Sequence, residues 1–297
     1  MEWKWSKANE KDLARFVTED SVKLLDKLPV DDRLKLLQEW DGRRALVKAI
    51  YETLVSRGIT YALEKYHPED EIQQIRTPSE ILSNPGEGTC LDLAILFCGL
   101  CFGYDLLPLL VVIEGHALAA VSLNEQRKGW NSFARERGLF NKPELFQGEE
   151  SLVELKKLIE DDAYIAVECT GFAHTQSFGN SQEPEAIGRN SSGFLSFDKA
   201  LSAGKKQLSN PNRAFKFAID IATAKYFWKM ESLQIPNLNA AEVNPKALFN
   251  VDVEEQQGGE ITGVKADRIK SRRDIESNVK LGKGNQTVIR GGDFGEL

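Results

Sequence analysis

An apolar run at residues 91–102 constrains the fold of this chain more than any other feature. It directly follows a turn rich in glycine and proline, Asn84-Pro85-Gly86-Glu87-Gly88-Thr89-Cys90. A helix that is apolar on all sides must be buried among other elements, so the run predicts a central helix. Cys90 then stands in the first turn of that helix. Backbone N–H groups and the helix dipole stabilise a thiolate there, and the thiolate is the reactive form of cysteine.

The segments after this helix alternate between strand and helix patterns. Residues 109–113 and 116–122 predict two strands, or one strand that continues past a bulge at Gly115. Ser151 and Glu154 form a capping-box pattern for a helix over 151–160, and residues 163–169 predict another strand. Residues 171–193 have loop composition, and residues 215–228 predict an apolar helix. The whole pattern indicates an α+β fold.

Apolar residues at helical spacing predict further helices between residues 9 and 60. Asp31 or Asp32 can cap the second of them, and Gly58 ends the third, in which Leu46 and Ile50 lie on one stripe with Leu54. These helices either pack on the rest of the protein or form a small adaptor module. We therefore expect an N-terminal helical segment at 1–60, a main domain at 61–235 and a flexible or weakly ordered extension at 236–297.

Composition and charge exclude several classes of protein. The 297 residues carry a formal net charge of −7, which disfavours nucleic acid as the main partner. The N-terminus lacks a secretory signal and every apolar run is too short to span a bilayer, so we expect a cytoplasmic protein without a membrane partner. Cys98 and Cys101 have CxxC spacing inside the apolar run, where core cysteines are more common than a metal or redox site. We expect no metal and no cofactor.

Cysteine, histidine and a carboxylate follow one another at positions that suit a thiol nucleophile. His116 is the histidine inside an apolar strand pattern, whereas His67 stands in a polar turn and His174 in a loop. Glu168 is the one charged residue of the strand predicted at 163–169. Its burial is costly without a partner, and an imidazolium supplies one. Each residue alone is more often structural, but Cys90, His116 and Glu168 together supply a nucleophile, its base and an orienting acid.

Three sequence blocks carry a resemblance to a known family: Gly88-Thr89-Cys90-Leu91-Asp92-Leu93-Ala94, Gly115-His116-Ala117 and Val167-Glu168-Cys169-Thr170. With residues 74–82 and 218–222, they make the chain resemble bacterial members of the transglutaminase-like cysteine peptidase superfamily. The resemblance implies a papain/transglutaminase-like core, with the central helix packed on an antiparallel sheet. It also implies that Cys90 is the nucleophile, His116 the general base and acid, and Glu168 the orienting acid. The family most often has Asp at this third position, so Glu168 is a departure that changes the reach of the acid.

The expected function is a cysteine protease or amidase that cleaves peptide or isopeptide amides through a thioester. Acyl transfer to an amine, or deamidation of protein glutamine, is the alternative on the same core, and a non-catalytic scaffold or adaptor is a third interpretation. A protein or peptide is the expected substrate, and the N-terminal helices are the expected site for a protein partner. Candidate substrate-binding residues are Arg76, Trp130, Phe133 and His174, with core packing as the alternative for the two aromatic residues and a plain loop position for His174.

Overall fold

The structure is a computed structural model that describes residues 1–6, 8–25, 28–30, 32–62, 72–130, 146–175, 184 and 186–233. These residues form a mixed α and β unit. His67, Phe133 and the extension expected at 236–297 lie outside the described residues. Among the helices of the described residues, none is long and apolar enough to cross a membrane.

The described residues contain six α-helices, five short 3₁₀ or π segments and nine strands. The helices are α1 (Arg33–Gln38), α2 (Trp40–Ser56), α3 (Pro78–Ile81), α4 (Cys90–Gly103), α5 (Gly148–Glu160) and α6 (Phe197–Leu208). The 3₁₀ helices are Glu10–Arg15, Glu19–Leu24, Arg127–Gly129 and Cys169–Phe172, and Thr223–Phe227 is a π-helical segment. The strands are β1 (Glu2–Lys4), β2 (Thr60–Tyr61), β3 (Ile72–Gln74), β4 (Glu87–Gly88), β5 (Pro108–Ile113), β6 (His116–Ser122), β7 (Phe146–Gln147), β8 (Tyr164–Val167) and β9 (Phe215–Asp220).

The central sheet has five strands in the order β7-β9-β5-β6-β8, and every neighbouring pair is antiparallel. Strands β5 and β6 form a hairpin in which Ile113 pairs with His116. Gly115 lies between them with φ +67°, a conformation that glycine adopts without steric cost. Residues 109–113 and 116–122 are therefore two strands, and the alternative of one strand with a bulge is wrong. His116 begins β6, beside the turn.

Helix α4 lies against one face of this sheet, and α5 covers the other. Residues 91–102 of α4 are all buried, which confirms the predicted central helix. Side chains alternate along β6, so Ala117 and Ala119 share a core with α4, whereas Leu118 and Ala120 share one with Leu155 of α5. The nucleophile candidate therefore stands at the end of the most deeply buried helix.

The N-terminal residues pack into the same core as α4. Leu46, Ile50 and Leu54 of α2 are completely buried, as the predicted stripe requires. Asp32 caps α1, and Gly58 has φ +65° just beyond α2, so both predicted helix ends are confirmed. The segment before α1 differs from the prediction, because it forms two 3₁₀ helices instead of one α-helix.

Two other predictions about secondary structure need correction. Residues 215–228 do not form one helix, because Phe215–Asp220 is strand β9, between β5 and β7 in the sheet. Its two faces are both covered, with Phe217 and Ile219 toward α4 and Ala218 toward α5, and a strand buried on both faces has an unbroken apolar pattern. Helix α5 begins at Gly148, before the predicted capping box.

Candidate active site

Cys90 is placed by the start of α4. The Thr89 hydroxyl accepts a hydrogen bond from the Asp92 N–H at 3.3 Å, and the Asp92 carboxylate accepts one from the Thr89 N–H at 3.0 Å. This reciprocal cap makes Cys90 the first helical residue. Cys90 is partly exposed, whereas the other three cysteines of the chain are buried. A reagent from solution can therefore reach Cys90 without disrupting the core.

Arg76 fixes the loop that leads into Cys90. Its backbone N–H and its guanidinium each donate to the buried Asp92 carboxylate at 3.0 Å, and the guanidinium also donates to Glu87 at 2.9 Å. Burial raises the pKa of Asp92, and the bonds from Thr89 and Arg76 offset part of that rise. Arg76, a predicted substrate-binding residue, is therefore bonded to Asp92 and Glu87 on either side of Cys90.

Strand β2 holds the segment before Cys90 close to the segment after Glu168. The Thr60 N–H donates to the Gly86 carbonyl at 2.9 Å, on the Cys90 side. The Tyr61 N–H donates to the His174 carbonyl at 2.8 Å, on the Glu168 side. Strand β2 therefore joins the segment before Cys90 to the segment after Glu168.

The structure brings the side chains of Cys90, His116 and Glu168 together. His116 Nε2 lies 2.8 Å from Glu168 Oε2, and both side chains are buried. The side chain of Cys90 interacts with the imidazole of His116 and helps to raise its pKa. Because Nε2 faces Glu168, Nδ1 is the ring nitrogen left for the Cys90 sulfur. The imidazole is thus between a thiol and a carboxylate.

The charges of this site support an ion pair. Burial alone lowers the pKa of His116, but the charge and hydrogen bond of Glu168 and the interaction with Cys90 outweigh burial and hold that pKa well above its usual value. Burial alone raises the pKa of Glu168, but the charge of His116 and the hydrogen bonds from His116 and Thr170 lower it. An imidazolium and a carboxylate are therefore the favoured forms of the pair.

Glu168 lies one residue beyond the end of β8, although the sequence pattern predicts it inside a strand. It is the N-cap of the 3₁₀ helix Cys169–Phe172. Its Oε1 accepts hydrogen bonds from the Thr170 N–H at 3.0 Å and the Thr170 hydroxyl at 2.8 Å. The strand therefore ends at Val167 because the carboxylate bonds locally to the backbone of the next turn.

The sequence patterns do not predict two contacts of Glu168. Thr170 belongs to a block that carries the family resemblance, and Gln207 of α6 has no predicted role. Gln207 is buried and its side-chain N–H donates to Glu168 Oε2 at 3.2 Å. The signal that could have found it is a polar residue on the face of α6 that also carries Ala200, Ala203 and Gly204.

The remaining predicted site residues have other surroundings. Trp130 is only 3 % exposed and its ring packs 5.3 Å from that of Tyr226, which is the packing alternative. His174 lies on the loop after Glu168, with Nδ1 2.7 Å from the Ser192 carbonyl oxygen and its ring near Phe194. His174 lies on a segment that is hydrogen-bonded to β2, the strand that also contacts the segment before Cys90. Among the described residues, no group of three or more His, Cys, Asp or Glu side chains could hold a metal ion.

A scan of this sequence against protein-family models found no match, and searches of curated proteins and of solved structures found none either. A function for this chain must therefore be argued from the chemistry of Cys90, His116 and Glu168.

Proposed function

We propose that this protein is a cysteine hydrolase with a papain/transglutaminase-like core that cleaves peptide or isopeptide amides. The observation that carries the proposal is the buried hydrogen bond between His116 and Glu168 beside the partly exposed thiol of Cys90, which interacts with the imidazole. The helix α4 on a five-stranded antiparallel sheet agrees with the architecture that the sequence resemblance implies. A thiol, a base and an acid in this order are the parts of a nucleophilic mechanism.

The first half of the proposed reaction forms a thioester. The Cys90 thiolate attacks the amide carbonyl carbon, and the carbonyl electron pair moves to the oxygen. The first N–H groups of a helix have no acceptor within the helix, so the Cys90 N–H is suited to bind this oxyanion. His116 then gives its proton to the leaving nitrogen as the C–N bond breaks, and the amine departs.

The second half regenerates the thiol site. His116, now neutral, takes a proton from water while the water oxygen attacks the thioester carbonyl. The C–S bond breaks, the carboxylic acid leaves, and the sulfur returns to its thiolate form beside the imidazolium. Glu168 stabilises the imidazolium in both halves, because its buried carboxylate stays ionised and fixed by Thr170.

The contact pattern also argues against a scaffold that has lost its chemistry. Taking a charged His–Glu pair out of water is costly, and such a pair gives little stability beyond that of apolar residues of similar volume. A scaffold therefore has no need for a buried pair that points at a partly exposed sulfur. A nucleophilic site needs this arrangement.

Digestion of a peptide library in water enriched in heavy oxygen, with a primary-amine probe present, tests the proposal. Hydrolysis places heavy oxygen in the new carboxyl group of the product, whereas acyl transfer attaches the probe. We expect heavy oxygen in the wild-type products, and a loss of at least about a hundredfold in rate for Cys90→Ser and His116→Gln. His67→Gln, at the histidine that the sequence places in a polar turn, is the matched control and should keep the wild-type rate.

Two results would overturn the proposal. Products that form equally fast with Cys90→Ser would assign the activity to another site or to a contaminant. Probe attachment in place of heavy oxygen, dependent on Cys90, would identify a transferase.

A further inference from the structure

The carboxylate of Glu168 has donors on both of its oxygens, and one donor has no place yet in the mechanism. Oε1 accepts both of its hydrogen bonds from Thr170. Oε2 accepts one from His116 at 2.8 Å and one from Gln207 at 3.2 Å. Gln207 thus shares the same carboxylate oxygen as the imidazole, although it is 39 positions away in sequence.

The orientation of the Gln207 amide is fixed from its other end. Arg213 Nη1 donates a hydrogen bond to Gln207 Oε1 at 3.3 Å. A guanidinium can only donate, so the amide must present its oxygen to Arg213 and its NH₂ group to Glu168. The reversed amide would place two donors face to face, and an oxygen against a carboxylate.

Helix α6 comes unusually close to β8, and this approach lets Gln207 reach Glu168. A Cβ atom added at Gly204 would lie 2.6 Å from the Ala166 carbonyl oxygen. One turn earlier, the Ala200 carbonyl accepts a hydrogen bond from the Glu168 N–H at 3.1 Å. Gln207 lies one turn beyond Gly204 on the same face, so the close backbone contact delivers its amide to the carboxylate.

From this arrangement we infer that Gln207 is a positioning residue for the proposed hydrolase, oriented by Arg213 and acting on His116 through Glu168. The inference rests on the proposed function. Gln207 holds Oε2 of Glu168 in place, so that the imidazole of His116 keeps a fixed orientation between the carboxylate and the Cys90 sulfur. It also supplies a donor to the ionised carboxylate that stays in place when His116 gives up its proton during the reaction.

Other titratable or charged groups lie near Glu168 and are unchanged in Gln207→Met. Tyr51 of α2 and Cys169 of the following turn are buried, and burial is the largest cause that raises their pKa values, to which the charge of Glu168 adds. Arg189 donates to the Thr170 hydroxyl at 3.3 Å, and Arg213 lies behind Gln207. Cys90 and His116 complete the set.

The test is the pH dependence of Cys90 alkylation by iodoacetamide in the full-length protein, measured by mass spectrometry of the Cys90 peptide. Without the Gln207 donor, Glu168 takes up a proton more readily as the pH falls. Gln207→Met should therefore move the acid-side midpoint of the alkylation rate upward by about one pH unit, the equivalent of one hydrogen bond to a charged group. Arg213→Met removes only the anchor of the amide and should give a smaller shift in the same direction.

Leu208→Ala is the matched control, because Leu208 is the next residue of α6 and is buried in the α5-side core. It should lower stability and leave the midpoint unchanged. A midpoint that stays in place for Gln207→Met and Arg213→Met, while His116→Ala alters the wild-type profile, would overturn the role of Gln207 alone. A wild-type profile identical to that of His116→Ala would overturn the proposed function as well.

Discussion

Cys90 differs from the other cysteines in both its exposure and its neighbour. It is partly exposed and interacts with His116, whereas Cys98, Cys101 and Cys169 are buried. Burial raises the pKa of the three buried thiols, which keeps them protonated and unreactive. Reactivity among the four sulfur atoms should follow this difference.

The first prediction concerns selective labelling. Brief treatment with iodoacetamide at neutral pH should modify Cys90 at least about tenfold faster than the other cysteines, because only Cys90 is accessible. Peptide mapping by mass spectrometry measures the four rates in one sample. Similar rates for all four cysteines in the folded protein would contradict the difference in burial.

The second prediction concerns the His116–Glu168 pair and stability. The pKa of folded His116 is raised, so its contribution is complete below the unfolded value of about 6.5 and is lost as the pH rises through the folded value. In Glu168→Gln the carboxylate charge that raises the pKa of His116 is gone, and burial of the imidazole dominates. Protonated His116 therefore stabilises the folded state less at low pH. Removing one partner of a buried pair costs about 3–5 kcal/mol.

Urea unfolding of the wild type and Glu168→Gln between pH 5 and pH 8 checks this sign. The stability difference between them should be largest near pH 5 and should shrink toward pH 8. At still lower pH, protonation of Glu168 in the wild type, whose pKa is lowered by folding, should reduce the difference again. A difference that grows steadily from pH 5 to pH 8 would contradict the ion pair.

The three main residues of the candidate site could be predicted from the sequence, but the residues that position them could not. Cys90 and His116 could be found because a reactive residue type stood at a helix start or inside an apolar strand. Glu168 could be found because an unpaired charge in an apolar run needs a partner. The small-residue face of α6 marks Gln207 as a buried polar side chain, but its contact with Glu168 could not be predicted. That contact depends on how closely α6 approaches β8, which is a property of tertiary packing.

At the level of elements, the predictable parts are those whose pattern admits a single structure. Helix α4 is too long an apolar run for a strand, and α2 has a clear stripe. The helix predicted at residues 215–228 is wrong where β9 lies, because an apolar run buried on both faces has no period that distinguishes a strand from a helix. Its identity is set by the neighbouring strands β5 and β7, which lie far away in the sequence.

The contact between α4 and the 3₁₀ helix Glu19–Leu24 gives a prediction at this scale. A Cβ atom at Gly99 would lie 2.6 Å from the Thr18 carbonyl oxygen. Alanine normally stabilises a helix interior by about 1 kcal/mol relative to glycine, but overpacking costs about 1–3 kcal/mol. Gly99→Ala should therefore lower stability, with a fall of a few degrees in Tm measured by circular dichroism.

Gly129→Ala is the control for this substitution. A Cβ atom there would meet only the end of the flexible Glu125 side chain, at 3.3 Å. Its Tm should stay within about one degree of the wild type, since Gly129 is only partly buried and substitutions away from packed positions cost little. A Gly99→Ala protein that is more stable than the wild type would show that the N-terminal segment does not pack tightly on α4.

At the scale of the whole molecule, the N-terminal residues are part of the domain. Trp3, Leu13 and Val17 belong to the core that surrounds α4, and the Met1 amino group donates to the Ile75 carbonyl. The sequence left open whether residues 1–60 pack on the main domain or form an adaptor, because an amphipathic stripe shows that a helix is buried but not against what. The observed packing favours an integral role.

Deletion of residues 1–60 tests this integral role. The truncated chain should lose its cooperative unfolding transition, because α4 would expose the face that α2 and the 3₁₀ helices cover. Calorimetry of the truncated and full-length proteins measures the transition. A sharp transition at the wild-type temperature would restore the interpretation of the segment as a separate adaptor.

The central claim is that His116, held by Glu168, activates the sulfur of Cys90. The most direct measurement is the alkylation rate of Cys90 at neutral pH in His116→Ala, compared with the wild type and with His174→Ala as the control. The rate should fall by at least about tenfold in His116→Ala and remain at the wild-type value in His174→Ala. Equal rates in all three folded proteins would show that the imidazole does not activate the thiol.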